Sequence, residues 1–404
     1  MPAHNPAKQT YQPRPINYVL EYNKAWQKLV ATDSNLREIE VEEVTKMLAC
    51  GKPALGGKEY LCENEACTHF KHLWFTCSSR ACSRCGKKST DNWITQQVER
   101  LPDCPWMHMT FTMPDVFWPL FLNNRKLLDK LCQLAVDNLL YAANKLGLDI
   151  GIFCALHTFG RRLTWHPHVH ASVTLGGMNE HGDWKKLAYC HKKVEQRWRH
   201  GLCDFLLSEY ESLTLENAES HCRDFDEFRR FVNTQRARFW HVHFARKTQH
   251  PKSTINYLGR YLKRPPISGG KLAHYRGEAT LSFRYLDHHT GKYETEKVTQ
   301  LELIKRLVQH IPEKGFRMIR YFGFLDNRVV GEKLPEVRSA LGMEKQPTPT
   351  PPLRYGQMIK TFLRVDPFEC VLCQSRMRVA RYHSGVGRKA LVNEALSRLG
   401  EAIS

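Results

Sequence analysis

The stretch TWHPHVHASV, residues 164–173, constrains the fold more than any other part of the chain. It places histidines at every second position (His166, His168 and His170), with apolar residues between and after them. Alternate side chains of a strand point to the same face. The pattern therefore predicts a strand that packs its apolar side on a core and lines its other side with imidazoles.

Neutral imidazoles that converge on one point are typical of a site for zinc, manganese or another divalent ion. A single histidine in a strand is more often a core or surface residue, but the strict alternation favours a metal site here. We expect His168 and His170 to be two ligands of such an ion. A third ligand must come from a neighbouring element, and both His157 and His166 are candidates.

A cysteine-rich segment precedes this strand. Cys62 and Cys67 form one closely spaced pair, Cys82 and Cys85 form another, and Cys77 lies between them. Two short pairs about fifteen residues apart are typical of a tetrahedral structural zinc site, in which thiolates suit the metal. The pattern predicts one Zn²⁺ held by four of these five cysteines. Scattered reduced thiols are the alternative.

A further pair, Cys370 and Cys373, lies near the end of the chain with only His383 close to it. The sequence leaves open whether this pair binds a second zinc.

The overall composition indicates a polyanionic partner. Lysine and arginine outnumber acidic residues by 60 to 41, which gives a net charge of +19. Nucleic acid is the commonest partner of so basic a chain, although the charge could also serve solubility alone. No run of about 20 apolar residues and no secretory signal is evident. We therefore expect no membrane association and a cytoplasmic protein whose fourteen cysteines are not disulfides.

Strand and helix patterns alternate along the chain, and several strand candidates look antiparallel, so the predicted class is α+β. The expected divisions are a flexible arm over 1–15, a helical and zinc-binding domain over 16–95, and a catalytic domain over 100–330. A proline-rich linker over 344–354 and a small C-terminal segment with the CxxC pair over 355–404 follow.

The segment STINYLGRYLKR predicts a helix that carries Tyr257 and Tyr261 on one face, four residues apart. Two tyrosines at this spacing are often core packing. Basic neighbours argue against that interpretation, because a phenol near cations and a divalent metal ionises more readily and becomes a nucleophile. These neighbours are Arg260, Lys263 and Arg264.

Taken together, the order TCSSRACSRC, HPHVH, YLGRYLKRPPIS and HIPEKGFRMIRYFGFL resembles the HUH single-strand DNA endonucleases. Within them it is similar to the two-tyrosine rolling-circle transposases of bacterial insertion sequences. The resemblance implies a mainly antiparallel sheet flanked by helices. It also implies that His168 and His170 hold Mg²⁺ or Mn²⁺, and that Tyr257 or Tyr261 attacks the DNA to form a 5′-phosphotyrosine.

The same resemblance implies the partners. They are single-stranded DNA, transposon ends and target DNA in a bacterial, nucleoid-associated setting, and a host helicase or replication factors, because no helicase motif is present. The expected DNA-binding residues are Arg161, Arg162, Arg260, Lys263 and Arg264. Two alternatives remain: a plasmid or phage replication initiator or relaxase with the same chemistry, and a zinc-dependent nucleic-acid-binding protein without catalysis.

Overall fold

The computed structural model describes residues 16–215, 224–245, 247–248, 266–272, 275, 277–287, 290–343 and 354–403. Its α-helices within these ranges are α1 Ile16–Glu21, α2 Ala25–Thr32, α3 Glu38–Leu48, α4 Ser83–Arg100, α5 Trp118–Asn123, α6 Leu128–Asn144, α7 His191–Ser208, α8 Phe225–Arg236, α9 Gln300–Val308, α10 Val330–Ala340, α11 Tyr355–Leu363 and α12 Arg388–Ile403. Its strands are β1 Gly57–Cys62, β2 Phe70–Trp74, β3 Trp106–Phe111, β4 Gly151–Phe159, β5 Trp165–Thr174, β6 Gly176–Met178, β7 Trp184–Lys186, β8 Val242–Phe244, β9 Thr280–Leu286, β10 Tyr293–Thr299, β11 Ile319–Gly323 and β12 Met377–His383.

A five-stranded antiparallel sheet with the order β11-β4-β5-β3-β8 forms the centre of the molecule. One of its faces is covered by α6, whose apolar residues recur every three or four positions and are buried against β4 and β5. The apolar residues Val169, Ala171 and Val173 of β5 belong to this core and are fully buried. The histidines of β5 therefore face the other side of the sheet, as the alternation predicts.

A second, three-stranded sheet has the order β12-β1-β2 and is also antiparallel. It joins the N-terminal cysteine segment to the C-terminal segment, because β12 pairs with β1 from Gly57↔His383 to Cys62↔Met377. Tyr60 of this sheet is buried with Cys370 and Met377 in a small core of its own.

The N-terminal helices do not pack only on each other. Residues of α1, α2 and α3 share one buried cluster with the hairpin β9–β10 and with α9. Gln300, at the start of α9, donates hydrogen bonds to the carbonyl oxygens of Val19 and Tyr22. The helical segment before the cysteines is thereby fixed to the region that follows the central strands.

The α+β class is confirmed. Some elements were not predicted: α4 is a mostly polar helix of eighteen residues, and β11 pairs with β4 at the edge of the central sheet. Trp93 of α4 lies against Phe153 and donates a hydrogen bond to the hydroxyl of Tyr321 on β11. A few buried side chains on a polar helix give little periodic signal. Within the described residues, no helix combines the length and hydropathy that crossing a membrane requires.

Candidate catalytic and metal centres

Three histidines from two adjacent central strands form one group. His157 on β4 pairs in register with His168 on β5, and His170 lies two residues further along the same face. One ring nitrogen of each of His157, His168 and His170 lies within 4.8 Å of the others. Antiparallel pairing thus makes His157 the third member of the group. His166 instead stacks on Trp118, with ring centroids 4.5 Å apart.

Hydrogen bonds fix which nitrogens face the centre of this group. The Nδ1–H of His168 donates to the carbonyl oxygen of His166 at 2.8 Å, so that Nε2 carries a lone pair. The Nε2 atoms of His168 and His170 are 3.0 Å apart. The Nε2 atom of His157 is buried and has no hydrogen-bond partner among the described residues. An orphaned buried nitrogen of this kind costs about 1–3 kcal/mol, which a bound cation would offset.

The electrostatics of the group suit metal binding. Burial, followed by the positive charge that the neighbouring rings would carry, holds the pKa of His157, His168 and His170 well below the usual range. The guanidinium of Arg80, from the cysteine segment, lowers the pKa of His157 further. At neutral pH the three rings are therefore neutral, which is the form that binds a metal.

A fourth histidine, His108, contacts the side of the His170 ring that carries Nδ1. Nε2 of His108, on β3, lies 2.9 Å from Nδ1 of His170, and Nδ1 of His108 lies 3.2 Å from the hydroxyl of Ser172. With Nε2 of His170 turned to the centre, its Nδ1–H donates to His108, and His108 donates to Ser172. Burial lowers the pKa of His108 to about 3, so this ring also stays neutral. One signal of this role was missed in the sequence analysis: a histidine within the apolar strand pattern WMHMTF.

The cysteines form two groups, and this corrects the expectation of one site built from four of five residues. The first group consists of Cys50, Cys77, Cys82 and Cys85. The second consists of Cys62, Cys67, Cys370 and Cys373. Cys50 lies at the end of α3, where sequence spacing gave no reason to connect it with the others. The pair Cys62 and Cys67 lies beside the C-terminal pair, because β12 pairs with β1.

The four sulfurs of the first group, and Cys67 and Cys370 of the second, are spaced as around a tetrahedral zinc ion. Four Zn–S bonds of about 2.3 Å at tetrahedral angles separate the sulfurs by about 3.8 Å. Cys50 and Cys85 are 3.7 Å apart, and Cys77 and Cys85 are 3.6 Å apart. In the second group, Cys67 and Cys370 are 3.8 Å apart. All these cysteines are free thiols, so disulfide bonds do not explain their proximity.

Proton sharing within the first group shows why a cation is needed. A hydrogen bond from Cys77 lowers the pKa of the Cys50 thiol to about 7, and the same contact raises the pKa of Cys77. Four thiols this close cannot all ionise together unless a positive ion compensates their charge.

A further group of possible metal ligands, Glu59, His72 and His383, lies on the three-stranded sheet. The Nε2 atoms of His72 and His383 each lie 3.2 Å from the same carboxylate oxygen of Glu59.

The remaining predicted residues are placed as follows. Arg162 forms an ion pair with Glu296, and Arg161 donates a hydrogen bond to the carbonyl oxygen of Leu286. Both arginines are exposed on the turn between β4 and β5. The other predicted site residues lie outside the described residues: Tyr257, Arg260, Tyr261, Lys263 and Arg264.

Comparison with known families agrees with this architecture. Residues 151–333 match the family described as "Putative transposase", and residues 21–113 match the "Transposase zinc-binding domain". The first range contains the histidine group, and the second contains the first cysteine group. The chain belongs to the rolling-circle transposases of bacterial insertion sequences, and it is therefore an enzyme that acts on DNA.

Two individual transposases match this chain over most of its length. It is 53% identical to "Transposase for insertion sequence element IS801" of Pseudomonas savastanoi pv. phaseolicola, over 93% of this chain and 92% of that protein. It is 30% identical to "Putative transposase y4qJ" of Sinorhizobium fredii, over 78% of this chain and 81% of that protein. No solved structure matches it. The predicted resemblance is confirmed, and transposase is favoured over replication initiator, relaxase or non-catalytic binder.

Proposed function

We propose that this transposase nicks and rejoins single-stranded DNA through a 5′-phosphotyrosine, with a divalent cation held by His157, His168 and His170. The observation that carries the proposal is the convergence of three neutral ring nitrogens, of which that of His157 is buried and has no hydrogen-bond partner in the described part of the chain. A purely structural histidine group would be expected to satisfy that nitrogen. Mg²⁺ or Mn²⁺ is the expected ion.

Each side chain has a distinct task in this scheme. The cation, when bound, polarises the scissile phosphate and stabilises the charge that builds on its oxygens. His157, His168 and His170 supply the nitrogens that hold it. His108 is a positioning residue, since its contact with His170 fixes the tautomer and orientation of that ring.

The nucleophile comes from the resemblance to two-tyrosine transposases. The phenolic oxygen of Tyr257 or Tyr261 would attack the phosphorus, form a new P–O bond and give up its proton to solvent. The bond from phosphorus to the 3′ oxygen of the preceding nucleotide would break and leave a free 3′-hydroxyl. The energy of the broken bond is kept in the phosphotyrosine, so joining to a second strand requires no ATP. A second tyrosine permits another cleavage while the first is occupied.

The two cysteine groups would each hold a structural Zn²⁺. The first group connects α3 with the start of α4, and the second connects β1 with the C-terminal segment. The buried cluster around the second group contains few apolar residues, so the metal would contribute folding free energy there.

The substrate would be single-stranded transposon ends and target DNA, reached in the nucleoid with the help of a host helicase or replication factors. The net charge of +19 supports contact with the phosphate backbone.

The test is adduct formation by the full-length protein. Incubation with Mn²⁺ or Mg²⁺ and single-stranded insertion-sequence ends should give a denaturant-resistant protein–DNA adduct that mass spectrometry maps to Tyr257 or Tyr261. Replacing both tyrosines by phenylalanine should abolish the adduct. His157→Ala should abolish it while DNA binding is kept, and His181→Ala, on an exposed loop, serves as the matched control. An adduct at another residue, or none with any divalent ion, would refute the proposal.

A further inference from the structure

The three-stranded sheet β12-β1-β2 has one covered and one open face. On the covered face, Tyr60 and Met377 pack with Phe368 and the second cysteine group. The register of β1 with β2 and β12 assigns the side chains of the opposite face. They are Glu59, Leu61, Phe70, His72, Trp74, Arg378, Arg381 and His383. We call this set the open face.

Aromatic rings line the edge strand of the open face. Phe70, His72 and Trp74 occupy alternate positions of β2, and Phe70 is 55% exposed. The rings of His72 and Trp74 are stacked, with centroids 4.7 Å apart and planes 4° apart. Phe70 in turn meets His72 edge to face, with centroids 5.6 Å apart, so the three rings form one contiguous exposed strip, which is typical of a surface that contacts a partner.

The charges of the open face are positive. Arg378 and Arg381 on β12 are exposed, and neither has an acidic partner among the described residues. Glu59 is the one acidic side chain that these three strands carry on this face. Its carboxylate already accepts hydrogen bonds from His72 and His383, and the two arginines outnumber it, so the net charge of the open face is positive.

We propose that the open face binds single-stranded DNA, with bases stacked on Phe70 and the adjacent rings and phosphates held by Arg378 and Arg381. Aromatic side chains beside arginines on an open sheet are how proteins hold unpaired bases without reading their sequence. Duplex DNA hides its base faces and offers nothing for these rings to stack on. This inference rests on the proposed single-strand substrate and adds a second contact surface, outside the histidine group.

The first test measures binding of a fluorescent single-stranded oligonucleotide to the zinc-loaded full-length protein by anisotropy. Phe70→Ala removes one stacking platform and should weaken binding about tenfold. Arg381→Gln should weaken it and reduce its dependence on salt. Tyr382→Ala is the matched control. Tyr382 is an exposed aromatic residue of β12, like Arg381, but its side chain lies on the opposite face of the sheet, beside Lys58. It should leave affinity unchanged.

The second test locates the contact. Photocross-linking with 5-iodouracil-containing single strands should give peptides that contain Phe70 or Trp74. Equal loss of affinity for duplex DNA, equal effects of Phe70→Ala and Tyr382→Ala, or cross-links confined to other regions would overturn the proposal. So would a change from dimer to monomer caused by Phe70→Ala alone, since a second copy would then cover the face.

The experiments distinguish failure of DNA binding by the open face from failure of the proposed nicking reaction. Phe70→Ala should still form the tyrosine adduct at saturating DNA, because the histidine group is untouched. If no variant forms an adduct, the nicking proposal fails, whereas the binding result is unaffected.

Discussion

The sulfur of Cys62 lies 3.3 Å from the sulfur of Cys373, although 311 residues separate them in the sequence. This contact exists because β12 runs antiparallel to β1 and begins its pairing at Cys62↔Met377. The CxxC pair that precedes β12 therefore lies beside the first cysteine pair. The C-terminal segment is therefore part of the N-terminal sheet and of its metal group.

The number of zinc ions bound by cysteine variants should show that the two cysteine groups are independent zinc sites. Purified protein is expected to contain two tightly bound zinc ions in the cysteine groups. Cys85→Ser and Cys373→Ser should each remove one, and the double variant should remove both, as measured by elemental analysis after treatment with a weak chelator. Cys190→Ser, an exposed cysteine of neither group, is the control. If Cys373→Ser kept both ions, the second group would not be a zinc site.

Removal of the C-terminal segment should damage the N-terminal sheet. A chain that ends at residue 353 lacks β12 and two of the four thiols of the second group, so β1 becomes an edge strand. We expect loss of one zinc ion and rapid proteolysis between residues 57 and 74. The tyrosine adduct on short single strands should persist, since the central sheet is intact. Unchanged protease resistance in residues 57–74 would contradict this expectation.

His108 should control metal affinity without being a ligand. His108→Leu removes the nearer partner of Nδ1 of His170, while the hydroxyl of Thr110 stays 3.2 Å from that atom. We therefore expect the Mn²⁺ affinity to fall about tenfold, the lower end of the usual effect of losing such a partner. Mn²⁺ titration followed by electron paramagnetic resonance measures the effect. His108→Gln keeps an acceptor near His170 and should restore part of the affinity. Equal affinities for all three proteins would show that this contact is irrelevant to the metal.

Acid should destabilise the protein through His310. This buried ring accepts a hydrogen bond from Thr158 and donates one to the carbonyl oxygen of Leu163, and burial lowers its pKa to about 4. The unfolded chain has a pKa of about 6.5 at this residue and binds the proton first. Stability is therefore complete above pH 6.5 and declines as the pH falls towards 4, by about 2 kcal/mol at pH 5.

Urea unfolding at pH 8 and pH 5 measures that loss. His310→Gln should lose about 2 kcal/mol less between the two pH values than the natural protein does. His181→Gln, on an exposed loop, should lose as much as the natural protein. An identical pH dependence for all three proteins would contradict the assignment.

Sequence patterns alone predicted much of the catalytic region, and for physical reasons. The alternation around His168 and His170 defines both a strand and its two faces, because the side-chain repeat of a strand is two. The apolar residues of α6 recur every three or four positions and define its buried face in the same local way. By contrast α4 is largely polar and β11 is short, so neither carries a clear periodic signal.

What the sequence by itself determined is the chemistry: thiols in short-spaced pairs, imidazoles on one strand face, and the order of motifs that defines the family. Only the tertiary structure decided which of them meet. The register between β4 and β5 places His157 beside His168. The pairing of β12 with β1 brings Cys373 next to Cys62, and Cys50, just after α3, lies beside Cys77, Cys82 and Cys85. Local spacing fixes the direction of a side chain, whereas metal coordination requires atoms a few ångströms apart, and those distances are set by the packing of segments remote in the chain.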